Sequence, residues 1–134
     1  MDINIINKWD AIRERLRKYY EEHISVYREC DYVDVVKTVV KVIVNDKYTS
    51  YNYENITVVG DGNWQGTQLF IIPENIYQPG PEEYLVTYEY YGSCSGCDTL
   101  MAIQVESGEE LVDGLMTMSL HLIQKMKFIY KEDN

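Results

Sequence analysis

Trp9, Ile12, Leu16, Tyr19/Tyr20, His23/Ile24 and Tyr27 recur at helical spacing, with Arg13, Glu14 and Arg17 between them. The pattern predicts an amphipathic helix over residues 8–28. A second stripe, Val35/Val36, Val39/Val40 and Ile43, faces away from Asp34, Lys37, Thr38 and Lys41, and Asp31 stands where an N-cap belongs, with Asp34 three residues on. The valines favour a strand, but the spacing favours a helix.

From residue 56 the texture changes. Ile56–Val59 and Thr67–Ile72 are short β-favouring runs separated by Gly60-Asp-Gly-Asn-Trp-Gln-Gly66, whose three glycines predict a hairpin loop. Tyr84–Tyr91 carries bulky residues on both alternating faces, which predicts a central strand covered on both sides. Leu100–Val105 is expected to be its partner strand. Ser107 then opens a helix in which Leu111/Val112, Leu115, Met118/Ser119, Leu122 and Met126 repeat every three to four residues, with Glu109 and Glu110 in the first turn and Lys125 and Lys127 at the end. The expected architecture is a single α+β domain over 1–134: a largely antiparallel sheet with two N-terminal helices and one C-terminal helix packed on it. No internal repeat, low-complexity stretch or domain-separating linker interrupts it.

Charge divides the chain differently. Residues 1–47 hold nine basic and nine acidic side chains, whereas residues 48–124 hold eleven acidic and no basic ones, so the middle carries the excess behind the net charge of −10. Such a segment repels phosphate, which disfavours direct nucleic-acid binding. With 134 residues, 46% hydrophobic and 25% charged, the chain has the make-up of a folded domain. Its apolar runs fall far short of the roughly 20 residues of a membrane span. The first residues lack a basic n-region and a cleavage site, and three cysteines, two of them in one CxxC, make no disulfide framework. No membrane association and a cytoplasmic location are expected.

Chemistry, if any, concentrates in Gly92-Ser-Cys-Ser-Gly-Cys-Asp98, where small residues let two sulfurs and a carboxylate approach one point. As a redox pair, Cys94 and Cys97 lack the long helix that lowers a thiol pKa in CxxC motifs. As zinc ligands they supply half a tetrahedral shell, the rest coming from Cys30, His121, Asp98 or a second subunit, which leaves a homo-oligomer open. A thiol nucleophile served by His121 is a further alternative. The plain alternative is a tight turn whose cysteines fill space and whose Asp98 caps backbone N–H groups.

The loop Asp61-Gly-Asn-Trp-Gln-Gly-Thr67 offers the flat face of Trp64 beside the hydrogen-bonding groups of Asp61, Asn63, Gln65 and Thr67, the equipment of a small-molecule or peptide pocket. Equally, Trp64 can fold back as a lid on the sheet. Eight of the thirteen tyrosines, Tyr88 and Tyr90 among them, lie in the segment without basic residues, and tyrosine is favoured at recognition surfaces. No P-loop, GxGxxG, HExxH, GxSxG or HxH pattern is present. The expected binding set is Asp61, Asn63, Trp64, Gln65, Thr67, Tyr88, Tyr90, Ser93, Ser95 and Asp98, with Cys94, Cys97 and His121 as the metal alternative.

Three stretches, Trp64–Pro73 (WQGTQLFIIP), Tyr91–Leu100 (YGSCSGCDTL) and Leu115–Lys127 (LMTMSLHLIQKMK), together resemble a family of small uncharacterised proteins encoded by tailed bacteriophages and prophages. The similarity spans roughly the C-terminal two thirds. It implies an accessory protein acting inside a bacterial host and transfers no catalytic residues. The expectation is a binding protein for a host protein or a small molecule, without catalysis. The rivals are a metal- or thiol-dependent enzyme centred on the CxxC loop and His121, and an acidic mimic of nucleic acid.

Overall fold

The computed structural model describes residues 3–62, 65–93, 96 and 98–128. The run expected as one helix over 8–28 is two helices, α1 (Ile3–Glu22) and α2 (Ile24–Tyr27). His23 makes the break: its ring Nδ1–H donates to the Tyr19 carbonyl at 2.8 Å and stacks on the Tyr19 ring at 4.2 Å. That carbonyl already receives the His23 backbone N–H, and the backbone leaves helical geometry there. Ile5, Trp9, Leu16 and Tyr20 form the buried stripe of α1.

The valine-rich segment is helical: α3 (Tyr32–Val39) runs into a π-helical turn over Val40–Val44. Asp34 Oδ2 accepts the Asp31 backbone N–H at 2.8 Å, closing the first turn. A β-branched residue costs a helix at most about 0.7 kcal/mol, whereas full burial of its side chain contributes about 1.5–3 kcal/mol, and Val35, Val36, Val39, Val40 and Ile43 are all fully buried. Packing therefore decides the conformation.

The sheet is antiparallel in the order β1 (Thr57–Gly60), β2 (Gly66–Pro73), β3 (Tyr84–Tyr91), β4 (Lys127–Phe128). Its register pairs Phe70 with Thr87, Ile72 with Leu85 and Val58 with Phe70, and this face meets the helices. Val59, Leu69 and Tyr88 fall on the opposite face, as do Ile71 and Val86. β3 is interior in the sheet as expected, but the helical layer covers only one of its faces.

The expected strand at Leu100–Val105 is instead a helix, α4 (Thr99–Gln104). Asp98 caps it, its side chain accepting the Met101 N–H at 2.9 Å, and Leu100 and Ile103 turn one side inward. α4 lies so close to α5 (Gly108–Lys125) that a Cβ on Gly114 would come within 2.8 Å of Ile103. Ser107 occupies the N-cap position of α5 without a side-chain bond.

Three buried hydroxyls tie the layers. Tyr20 OH donates to Ser119 Oγ at 2.6 Å, Tyr27 OH to Thr38 Oγ1, and Thr87 Oγ1–H to the Leu122 carbonyl at 2.8 Å. At the rim, Arg17 reaches from α1 to Asp113 of α5 at 2.8 Å. The fold is α+β, and no helix among the described residues is long and apolar enough to cross a membrane.

Candidate functional site

The helical layer stops short of one end of the sheet. Beyond Phe70 the inner face continues through Val58, Gln68 and Tyr91, and there a cleft of about 540 Å³ opens between the strands, the start of α3 and α4. Its centre is Asp98, 6% exposed. Oδ1 of Asp98 accepts the Tyr32 hydroxyl at 2.8 Å as well as the Met101 N–H, and Oδ2 accepts the Gly92 N–H at 2.8 Å. The Tyr32 oxygen in turn accepts the Leu100 N–H at 3.1 Å. One carboxylate thus joins α3, α4 and the end of β3, a link between residues 66 apart in sequence. Burial, with Asp98 as a further contribution, pushes the Tyr32 hydroxyl well above its ordinary pKa, so it stays a protonated donor.

Gln104 braces the opposite wall, its amide nitrogen donating to the Tyr27 carbonyl at 3.0 Å and the Cys30 carbonyl at 2.9 Å. Cys30 is buried, and burial together with Asp34 pushes its thiol up to about 12. A thiol held protonated in this way is a packing group rather than a nucleophile.

Both glycine-rich loops meet at this end of the sheet. Tyr91 OH donates to the Asp61 and Gly62 carbonyls of the β1–β2 loop, the latter at 3.0 Å, and the next residue, Gly92, is the one held by Asp98. The loop is tight. The Thr67 N–H bonds to Asp61 Oδ1, Gly62 takes φ +81°, and a Cβ on Gly66 would lie 2.0 Å from the Asp61 carbonyl oxygen.

The expected binding residues therefore separate. Asp98 lines the cleft, and Asp61 is tied to the lining residue Tyr91. Gln65 and Ser93 are exposed in the two loops. Thr67, Tyr88 and Tyr90 lie on the other face of the sheet, with Tyr90 paired to Thr67 in register. Asn63, Trp64, Cys94, Ser95 and Cys97 lie outside the described residues. His121 is exposed on α5 and does not line the cleft, and no cluster of three or more His, Cys, Asp or Glu that could hold a metal occurs among the described residues.

Sequence reasoning missed Tyr32, Gln68, Tyr91 and Gln104 as site residues. Gln104 carried a readable signal, since it stands one helical turn beyond Leu100 once Asp98 is taken as an N-cap. Tyr32 carried none, because its partner depends on tertiary packing.

The described walls combine Val33, Val58, Leu100 and Met101 with the rings of Tyr32 and Tyr91 and the amide of Gln68, which has no hydrogen-bond partner among the described residues. Glu29, Asp31 and Asp98 add carboxylates, and no Lys or Arg lines the described part of the cleft. Such a cleft suits a small neutral or cationic molecule with a flat apolar portion. Compared with known proteins, the chain matches no family model, no curated protein and no solved structure.

Proposed function

We propose that this chain is a non-catalytic binding protein of phage type, acting in the cytoplasm of a bacterial host, and that its cleft takes a small neutral or cationic molecule. The observation carrying the small-molecule reading is the composition of the cleft: apolar and aromatic walls, the Gln68 amide without a hydrogen-bond partner among the described residues, and carboxylates without a basic side chain among its described lining residues. The carboxylates of Glu29, Asp31 and Asp98 disfavour an anionic ligand there. Among the described residues, the groups best placed for chemistry are already committed, Asp98 to three donors and Cys30 to packing as a protonated thiol, which favours binding over catalysis.

Native mass spectrometry of the protein purified from bacterial lysate tests the reading. A stoichiometric low-mass adduct is expected. Val58→Trp fills the cleft from a position 43% exposed, so it removes the adduct. Absence of any adduct, or an adduct that survives Val58→Trp, overturns the proposal.

A further inference from the structure

The face of the sheet opposite the helical layer carries Leu69, Ile71, Tyr84, Val86, Tyr88 and Tyr90, with Lys125 over the last two rings. It is a second apolar surface, separate from the core: Val86 is 6% exposed yet belongs to no part of the main hydrophobic cluster, and Leu69, Ile71, Tyr84 and Tyr88 are only half-buried. On β1 the same face shows Val59, 49% exposed. The largest apolar patch of a monomeric protein, commonly about 300–600 Å², is often a functional surface.

Its dimensions and surroundings define the occupant. Strands of eight residues at about 3.3 Å each, in a sheet of four at about 4.8 Å spacing, give at most roughly 500 Å². That is short of the roughly 800 Å² per partner of a standard protein interface, and two copies at −10 each repel, so a second copy fits poorly. A single helix, about 10 Å wide and about 17 residues long, matches the face. The end where β1 begins, β2 stops and β3 starts is acidic. Glu74 shares a small cleft with the face residues Thr57 and Tyr84, and Glu54 and Glu82, both exposed, lie in the segments entering β1 and β3. Among the described residues, the positive charges on this side are Lys127 on β4 and Lys125, whose ammonium is engaged by Glu89 at 3.1 Å.

We infer that this face docks an amphipathic helix of a partner protein, its apolar side on Leu69, Ile71, Val86 and Tyr88 and its Lys or Arg residues over the acidic end. This surface lies on the opposite side of the sheet from the cleft and stands independently of the small-molecule reading.

The probes are two synthetic 18-residue helical peptides with the same leucine face, one with lysine and one with glutamate on the polar side, titrated into isotopically labelled full-length protein. Saturable one-to-one binding of the lysine peptide is expected, with NMR shifts concentrated at Leu69, Ile71 and Val86. The double substitution Leu69→Ser, Ile71→Ser should weaken it at least tenfold, while Val58→Trp leaves it unchanged. Equal binding of the glutamate peptide, or shifts centred elsewhere on the wild-type protein, overturns the inference. So does a dimer in sedimentation that the double substitution dissolves, because the face then belongs to a second copy.

Discussion

Phe70 and Leu69 are neighbours on one strand, yet the first is fully buried under the helices and the second half-buried on an uncovered face. The contrast runs along β2 and β3: Ile72, Leu85 and Thr87 turn inward, Ile71, Tyr84 and Tyr88 outward. A strand apolar on both sides is the usual mark of a sheet with a layer on each face. Here the helices supply one layer, and no helix among the described residues packs on the other face.

The largest expected effect breaks this contrast at its centre. Phe70→Ala should cost about 3–5 kcal/mol, since it empties a closed site on the core face of the sheet, whereas Leu69→Ala should cost under about 1 kcal/mol because its cavity opens to water. Urea denaturation of both variants measures the difference. Equal losses would mean that the outer face is as covered as the inner one.

The next effect tests a side chain that touches both faces. Lys125 rounds the edge of β3, where β4 no longer pairs, and its ammonium lies 3.1 Å from Glu89, an inner-face residue, and 4.9 Å from the centre of the outer-face Tyr88 ring. Lys125→Met keeps much of the apolar stem and leaves the nearly buried Glu89 carboxylate with the Tyr90 N–H but without its cation, at an expected cost of about 1–3 kcal/mol. The double variant Lys125→Met, Glu89→Gln should recover much of that loss in the same denaturation assay. No recovery would assign the role of Lys125 to its contact with the tyrosine rings instead.

How much of this was legible beforehand depends on the range of the interactions involved. The helix over Leu111–Met126, the hairpin at Gly60–Gly66 and the strand at Tyr84–Tyr91 follow from local periodicity and turn chemistry, and the structure has all three. The break at His23 and the helix at Thr99–Gln104 were misjudged because one side-chain hydrogen bond and one cap outweigh a short apolar pattern. The Asp98 cap is one of the readings the loop itself allows, but the helix it starts is too short and too apolar to show a helical period. The cleft was half legible: Asp61 and Asp98 were singled out as members of glycine-rich loops, while Tyr32 and Gln104 reach it only through tertiary packing. Which face of β3 would be covered was beyond any periodicity, since both faces read as apolar.

The tyrosines give the finest test of the comparison, because the same residue type serves opposite ends on the two sides. Tyr20 and Tyr27 are buried in the helical layer, whereas Tyr90 on the outer face is 61% exposed. Burial raises the Tyr27 hydroxyl to about 12 and the Tyr20 hydroxyl further, against the pull of their bonds to Thr38 and Ser119. A phenol whose folded pKa lies above its unfolded value of about 10 binds its proton more firmly in the folded state, so its contribution to stability is complete below about pH 10 and is lost as the pH rises toward the folded value. At pH 11 each such phenol should remove about 1.4 kcal/mol relative to pH 8, read as a lowered urea midpoint. Tyr27→Phe should abolish its share of the alkaline slope even though it also leaves Thr38 without its donor. Nitration followed by mass spectrometry supplies the complementary readout: Tyr90 should be modified in the native protein while Tyr20 and Tyr27 are spared. Modification of Tyr20 before Tyr90 would reverse the assignment of covered and open sides.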